Sequence, residues 1–263
     1  MRPIDHIPLW ALSIVTVAIV LLAVETGFRL GAFFSSKSKP EHESSVGMMV
    51  QATLALLAFL LAFTFGIASD RFNDRRVLII EEANAIGTTY LRADFLPEAN
   101  RKVVQNLLRE YVDLRVRLQR DPNRLRQALA DSNQLQQRLW QQAVTMGRAN
   151  LDSDVAALFI ESLNEMIDLQ SKRIAAGLYA RIPENIWETL YLMVFLAIAA
   201  MGYQAGTAGA RNWPITGALA LSFAIVMVMI ADLDRPMEGV LKASQQPLID
   251  LSNRIGPPTP GRQ

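Results

Sequence analysis

Few residues in this chain have types and spacing that could support covalent chemistry. The sequence contains no cysteine, which excludes disulfides, thiolate metal sites and cysteine nucleophiles. Its two histidines, His6 and His42, lie on opposite sides of the first apolar segment, so they cannot share a metal ion and are expected at the surface. No glycine-rich phosphate loop, nucleophile elbow or zinc-protease motif is present. The sequence therefore predicts neither an enzyme nor a bound cofactor.

The clearest spacing belongs to two phenylalanines in the apolar segment 46–69. Phe59 and Phe63 are four residues apart, so they share a helical face. The same face carries Ala55 one turn earlier and Ile67 one turn later. Such aromatic side chains ordinarily pack against lipid or neighbouring helices. The alternative is that several copies of this helix surround an axis, where their phenylalanines form an apolar constriction that gates ion flow by dewetting.

Charged residues of both signs are concentrated where this segment ends. The first group consists of Asp70, Arg71, Asp74, Arg75 and Arg76. It contains like-charge pairs one helical turn apart, which an isolated helix disfavours, so we expect partners on other elements. A second group follows the last apolar segment and consists of Asp232, Asp234 and Arg235. We expect both groups at one membrane face, as an inter-helix ion-pair network, an ion-attracting vestibule, or both.

Long apolar segments must position these residues. Hydrophobic residues make up 51% of the 263, and the mean hydropathy of +0.19 is typical of a membrane protein with a substantial polar part. A transmembrane helix needs about 20 apolar residues. The predicted transmembrane helices are 7–31, 46–69, 184–204 and 214–231. The first is interpreted as a span because no cleavage site of the signal-peptide type follows it; its Glu25 and Arg29 are one turn apart and are expected to pair.

The region 70–183, between the second and third spans, is predicted to be a helical domain. Apolar residues recur there at helical spacing, and no stretch alternates with period two, so no sheet is expected. The second span lacks a stop signal, which predicts one uninterrupted helix from 46 to 92. Asp121 and Pro122 are expected to begin a later helix. The tail, 232–263, ends in a stretch rich in proline and glycine that is expected to be disordered.

An even number of spans places both termini and the 70–183 domain on one side of the membrane, and the polar loop 35–45 on the other. Nine basic residues near span ends lie on the first side: Arg2, Arg71, Arg75, Arg76, Lys172, Arg173, Arg181, Arg235 and Lys242. Four lie on the second side: Arg29, Lys37, Lys39 and Arg211. By the positive-inside rule, the domain and both termini are predicted to be cytoplasmic.

The motif Phe59-Leu60-Leu61-Ala62-Phe63 is followed by Asp70-Arg71-Phe72 and then by Arg75 and Asn84. In this pattern the second span and the residues after it resemble the corresponding helix of bestrophin channels. A weaker likeness is found in Asp232-Leu233-Asp234-Arg235-Pro236. The whole chain, with four spans and a helical insert, is similar to bacterial membrane proteins described as bestrophin-like.

This resemblance implies an all-α, bestrophin-like homo-oligomer, a pentamer, in the bacterial cytoplasmic membrane. The second spans are then pore-lining, Phe59 and Phe63 form the neck, and Ala55 stands where a bulkier residue would complete a third ring. The implied permeant ion is an anion, chloride. The partners are further copies of the chain, membrane lipid and permeant ions. Nucleic acid is not expected at a net charge of +1, nor is Ca²⁺, because Asp232 and Asp234 supply too few oxygen ligands.

A second hypothesis belongs to a different class. The chain would be a non-conducting membrane scaffold or sensor whose helical insert binds a cytoplasmic partner. The placement of a large insert between spans two and three is also found in flagellar-motor-type stator subunits, although the proline-rich fourth span of that family is absent here. An enzyme ranks third, because no convergent set of polar side chains is evident.

Overall fold

The computed structural model describes residues 8–35, 40–120, 124–149, 153–209, 211–236 and 239–258. Within these ranges all regular secondary structure is helical, which confirms the predicted all-α class. His6, Asp121 and Pro122 lie outside the described residues, as does the side chain of His42. The helices are α1 Leu9–Ser35, α2 Pro40–Arg92, α3 Glu98–Arg120, α4 Leu125–Ala149, α5 Asp154–Ile174, α6 Glu184–Thr207, α7 Trp213–Asp234 and α8 Gln246–Ile255.

Helix α2 is a single uninterrupted helix of 53 residues. It begins at Pro40, inside the segment expected to be a loop, because proline is well suited to the first helical position, where no N–H is needed. The helix continues past Asp70 without a break and is followed by a 3₁₀ turn, Ala93–Phe95. Pro97 follows this turn and cannot continue the hydrogen-bond ladder.

The chain forms two compact units, and the division falls within α2. The first contains residues up to Phe72 together with Arg181–Leu241, and the second contains Asn73–Ala180 together with the residues from Lys242 onward. Among the described residues, four helical segments are long and apolar enough to cross a membrane by length and composition: Leu9–Phe34, Val46–Phe95, Asp154–Thr207 and Trp213–Asp234.

In the first unit, α1 and α6 pack closely through glycines spaced four apart on both helices. A Cβ placed on Gly27 would lie 1.9 Å from the Ala199 carbonyl oxygen, and one on Gly202 would lie 2.4 Å from that of Val24. Gly31 and Gly206 are equally restricted by backbone atoms of the facing helix. Small residues at this spacing let two membrane helices approach until their backbones touch.

The second unit is built on the C-terminal part of α2 with α3, α4, α5 and α8. Its core includes the fully buried side chains of Tyr111, Leu139 and Phe159. Helix α8 was not predicted; it lies before the stretch rich in proline and glycine that was expected to be disordered. Its buried residues, Leu248, Leu251 and Ile255, nevertheless repeat at helical spacing and join this core.

Candidate functional site

Phe59 and Phe63 lie on a face of α2 that the rest of the chain leaves open. The two residues are 65% and 61% exposed, and their rings stack with centroids 6.3 Å apart and an interplanar angle of 16°. Leu57 and Leu61, on the opposite side of the helix, are buried in the core of the first unit. The packing of these leucines therefore fixes which way the two phenylalanines point.

The other two residues expected on this face differ from each other. Ala55 is exposed, whereas Ile67 is partly buried at the edge of the face. Between Phe63 and Ile67, a Cβ on Gly66 would meet no atom within 4 Å. One turn before the phenylalanines, Leu56 on the same face is 49% exposed, whereas the residue after them, Gly66, carries no side chain.

The structure separates the acids of the 70–76 group from two of its arginines. Asp70, Asp74 and Arg76 are exposed, and none of them has an ion-pair partner within the described part of the chain. Arg75 is only 6% exposed, and the Arg71 side chain is 27% exposed. Among the residues that the structure describes, the expected partner on another element is therefore present for Arg71 and not for the two aspartates.

Asp234, at the end of α7, is this partner. Arg71 Nη1 lies 3.9 Å from Asp234 Oδ1, a distance that gives attraction between charges without a hydrogen bond. Arg181 Nε donates to Asp234 Oδ2 at 3.0 Å, and the Ile182 N–H donates to Oδ1 at 3.0 Å. The buried carboxylate of Asp234 is thus shared by three donors or cations from two other segments of the first unit.

Asp232, two residues before the end of α7, holds the segment that follows the helix. Its Oδ1 accepts the Val240 N–H at 2.9 Å and its Oδ2 accepts the Leu241 N–H at 3.1 Å. Gly239 has a φ of +115° and leaves no room for a Cβ, which would lie 1.8 Å from Asp232 Oδ1. Both oxygens are committed to backbone donors, so Asp232 anchors the polypeptide itself. The neighbouring Arg235 is buried.

A buried ionic group in the second unit was missed by the sequence prediction. Glu82 is fully buried, and its carboxylate pairs with Arg115 of α3 at 3.2 Å and with Arg173 of α5. Tyr111 Oη lies 3.0 Å from Glu82 Oε1 and 2.7 Å from Gln170 Oε1. The burial of Glu82 could have been predicted from its spacing. It lies three residues after Ile79 and four before Ile86, on the apolar face of α2.

Two effects oppose each other at this carboxylate. Burial raises the pKa of Glu82, but the positive charges of Arg115 and Arg173, with their hydrogen bonds, outweigh it and hold that pKa below its ordinary value. Burial next to the same carboxylate raises the pKa of Tyr111. Glu82 is therefore an anion in the folded protein, and it ties α2 to α3 and α5.

A groove of about 630 Å³ lies on the outside of the second unit, between α2 and α5. Four carboxylates line it, opposed by one lysine: Glu81, Glu161, Glu165, Asp168 and Lys172. No cluster of three or more metal-binding side chains occurs among the described residues. The groove is consequently an acidic surface without the geometry of a metal site.

The helical periodicity of α2 relates Asp70 and Arg71 to the phenylalanines of the same unit. At about 100° per residue, Asp70 lies within about 20° of the direction of each aromatic ring, and it is exposed. Arg71 points about 100° away from that direction, towards Asp234. Within the first unit, the charged residue that follows the rings on their own face of α2 is therefore an acid.

Sequence comparison with known families identifies one that spans most of the chain. The family described as the Bestrophin-like domain matches residues 14–248. No curated protein is similar enough in sequence to match the chain.

Several solved structures share the fold. A bacterial bestrophin homologue from Klebsiella pneumoniae, carrying a leucine-to-threonine mutation, is 16% identical, with a TM-score of 0.60 over 94% of this chain and 96% of that one. A second structure of the Klebsiella pneumoniae homologue, solved by zinc phasing, is 15% identical, with a TM-score of 0.59 over 93% and 94%. A structure described as a membrane protein with a proline-to-alanine mutation is 16% identical, with a TM-score of 0.62 over 91% and 95%.

Proposed function

The chain belongs to the bestrophin-like family, and on this premise we propose that it is a homo-oligomeric ion channel, a pentamer, of the bacterial cytoplasmic membrane. Each copy crosses the membrane four times, with 46–69 facing a central pore and the 70–183 domain and both termini in the cytoplasm. The observation that carries this proposal is the exposed, stacked pair Phe59 and Phe63 on a helix otherwise fixed by buried leucines.

Exposed aromatic rings give the pore its narrow, apolar neck. A ring of phenylalanines around an axis removes the water that an ion would keep, so ions with weakly held hydration shells pass more readily. Gly66 has no side chain, so the proposed pore widens after Phe63. Before Phe59, Leu56 is 49% exposed on the same face and adds an apolar side chain to the neck beside the smaller Ala55.

Two arguments on the sign of the permeant ion oppose each other. Resemblance to bestrophins implies chloride. The side chain of Asp70 favours cations, because it is exposed in the direction of the rings while Arg71 points towards Asp234. Repeated around a ring of subunits, this carboxylate would concentrate cations at the cytoplasmic end of the span, and we propose that cations pass more readily than chloride.

A non-conducting scaffold remains the alternative function. It is favoured by the acidic groove between α2 and α5, which offers Glu81, Glu161 and Glu165 to a cytoplasmic partner. The two functions differ in what the purified protein does alone: a channel conducts without a partner, whereas a scaffold does not.

The test is ion flux into liposomes that contain the purified protein, with its oligomeric state measured by native mass spectrometry. Separate potassium and chloride gradients are followed with ion-specific fluorescent reporters. We expect a pentamer and a larger potassium flux. Chloride-dominated flux would overturn the cation preference and keep the channel. No flux of either ion, with confirmed oligomer in the membrane, would replace the channel with the scaffold.

A further inference from the structure

A cationic side chain lies close to two aromatic rings where α7 begins, in the first unit. The guanidinium of Arg211 lies 4.3 Å from the centroid of the Trp213 ring and 5.0 Å from that of Phe28 on α1. Stacking on an aromatic face stabilises a guanidinium and fixes its plane. The edges of the group, which carry the N–H donors, remain free to point outward.

Arg211 shares a single carboxylate with a second arginine. Arg29 Nε donates to Glu25 Oε1 at 2.7 Å, and Arg211 Nη2 donates to Glu25 Oε2. Two guanidinium groups against one carboxylate leave an excess of one positive charge. Each arginine has five N–H donors, and within the described part of the chain Glu25 is the hydrogen-bond acceptor of both. The side chains of Arg29 and Arg211 are 79% and 42% exposed, so their remaining donors are accessible.

Exposed apolar side chains lie within one helical turn of these two cations along the chain. Leu30 and Phe33 on α1 are 49% and 76% exposed, and Trp213 and Ile215 at the start of α7 are 61% and 65% exposed. Cations beside exposed aliphatic and aromatic groups are the composition expected at the boundary between headgroups and acyl chains. The site therefore has a polar end for an anion and an apolar end for hydrocarbon.

We infer that Arg29 and Arg211 bind the phosphate of an anionic phospholipid, with its acyl chains along Phe33 and Ile215. Guanidinium groups bind phosphate oxygens in a bidentate manner, and the stacked plane of Arg211 holds its donors ready for this. Because the site has one excess positive charge, it favours a lipid with a net negative charge. In such a lipid no ammonium group of the same headgroup neutralises the phosphate. This inference rests on the proposed membrane location of α1 and α7, and not on ion conduction.

The test uses Trp213 as a reporter in vesicles of phosphatidylcholine with increasing fractions of brominated lipid, which quenches tryptophan only on contact. The chain has 4 tryptophans. Subtracting the fluorescence of the Trp213→Phe variant from that of the wild-type protein leaves the signal of Trp213 alone. The measured quantity is the relative binding of brominated phosphatidylglycerol over brominated phosphatidylcholine at Trp213. We expect a preference of about fivefold, as for one net cationic charge at an anionic lipid. This preference should disappear in Arg29→Gln and in Arg211→Gln, because either substitution removes the excess positive charge.

The controls separate the ways in which this inference could fail. Glu25→Gln removes the carboxylate and should raise the preference for phosphatidylglycerol. Arg29 is largely exposed, so Arg29→Gln tests the site even if Arg211→Gln does not fold. Equal quenching by both lipids in the wild-type protein would overturn the phosphate site, and quenching by neither would overturn the membrane location of α7. Loss of the preference in inorganic phosphate at millimolar concentration would assign the site to free phosphate instead of lipid.

Discussion

The aromatic rings of Phe59 and Phe63 lie nearly parallel on the exposed face of α2, with their centroids 6.3 Å apart. Spacing of four residues explains why they share a face, and the burial of Leu57 and Leu61 explains why that face is the open one. In a soluble protein such a pair would cost hydrophobic free energy. In the proposed channel the pair would line the apolar neck instead of facing water.

The first prediction concerns the close contact between α1 and α6. Gly27→Ala should lower the thermal midpoint of the detergent-solubilised protein, because the new Cβ would lie 1.9 Å from the Ala199 carbonyl oxygen. Overpacking of this kind costs about 1–3 kcal/mol. Gly217→Ala on α7 is the matched control, since its Cβ would meet no atom within 4 Å. Equal midpoints for the two variants would show that α1 and α6 are not in backbone contact.

The second prediction concerns the segment after α7. Gly239→Ala should destabilise the protein more than Gly209→Ala, although both glycines have a positive φ, of +115° and +66°. Only at Gly239 does the Cβ also collide with the Asp232 carboxylate, whereas at Gly209 it meets nothing within 4 Å. The left-handed backbone costs about 1–2 kcal/mol in Gly209→Ala, and the φ of Gly239 lies further from the range that other residues adopt. Gly239→Ala should therefore have the lower thermal midpoint, and identical midpoints would contradict both the backbone conformation of Gly239 and its contact with Asp232.

The third prediction concerns the buried carboxylate of Glu82. Glu82→Gln should destabilise the protein by about 3–5 kcal/mol, because Arg115 and Arg173 would keep their charges without a counter-ion. Glu165→Gln, at an exposed carboxylate of the same domain, is the control and should have little effect. Denaturant unfolding at neutral pH gives both values.

The same carboxylate predicts a pH dependence of known sign. The pKa of Glu82 is lower in the folded protein than its ordinary value of 4.5. Stability from this group is therefore fully present above about pH 4.5 and is lost as the pH falls below it towards the folded-state pKa. On acidification below about pH 4.5, the wild-type protein should lose stability more steeply than Glu82→Gln. Parallel curves for the two proteins would contradict the ion pairs.

The fourth prediction concerns Asp70, which lies on the proposed pore-facing side of α2. Asp70→Asn should lower the ratio of potassium to chloride flux by about tenfold, because fixed charge in a ring sets the local ion concentration. The effect should shrink in about 1 M salt, where the screening length is about 3 Å. Glu165→Gln is the control, since Glu165 is an exposed acid on α5, outside the proposed pore-lining span. An unchanged ratio in Asp70→Asn would show that this carboxylate does not set the selectivity.

Periodicity determines the parts of the structure that could be predicted from the sequence. The uninterrupted α2 followed from an apolar segment that enters a polar one without proline, and the shared face of Phe59 and Phe63 followed from their spacing. Helix α8 could have been predicted in the same way, from Leu248, Leu251 and Ile255.

Long-range contacts could not be predicted in this way. Spacing shows that Asp70 and Arg71 point in different directions, but only the fold shows that Arg71 meets Asp234 while Asp70 stays open. The sharing of Asp234 with Arg181, and of Glu82 with Arg173, joins residues far apart in the sequence. No local pattern encodes such pairs.

The proposed neck is tested most directly by flux through liposomes containing Phe63→Ala, beside the wild-type protein and Phe33→Ala. Phe33 is another exposed phenylalanine, on α1, outside the proposed pore. Removal of a neck ring lowers the dehydration barrier, so flux should rise in Phe63→Ala and stay at the wild-type value in Phe33→Ala. Equal flux in all three proteins, at equal oligomer content, would contradict a neck formed by α2.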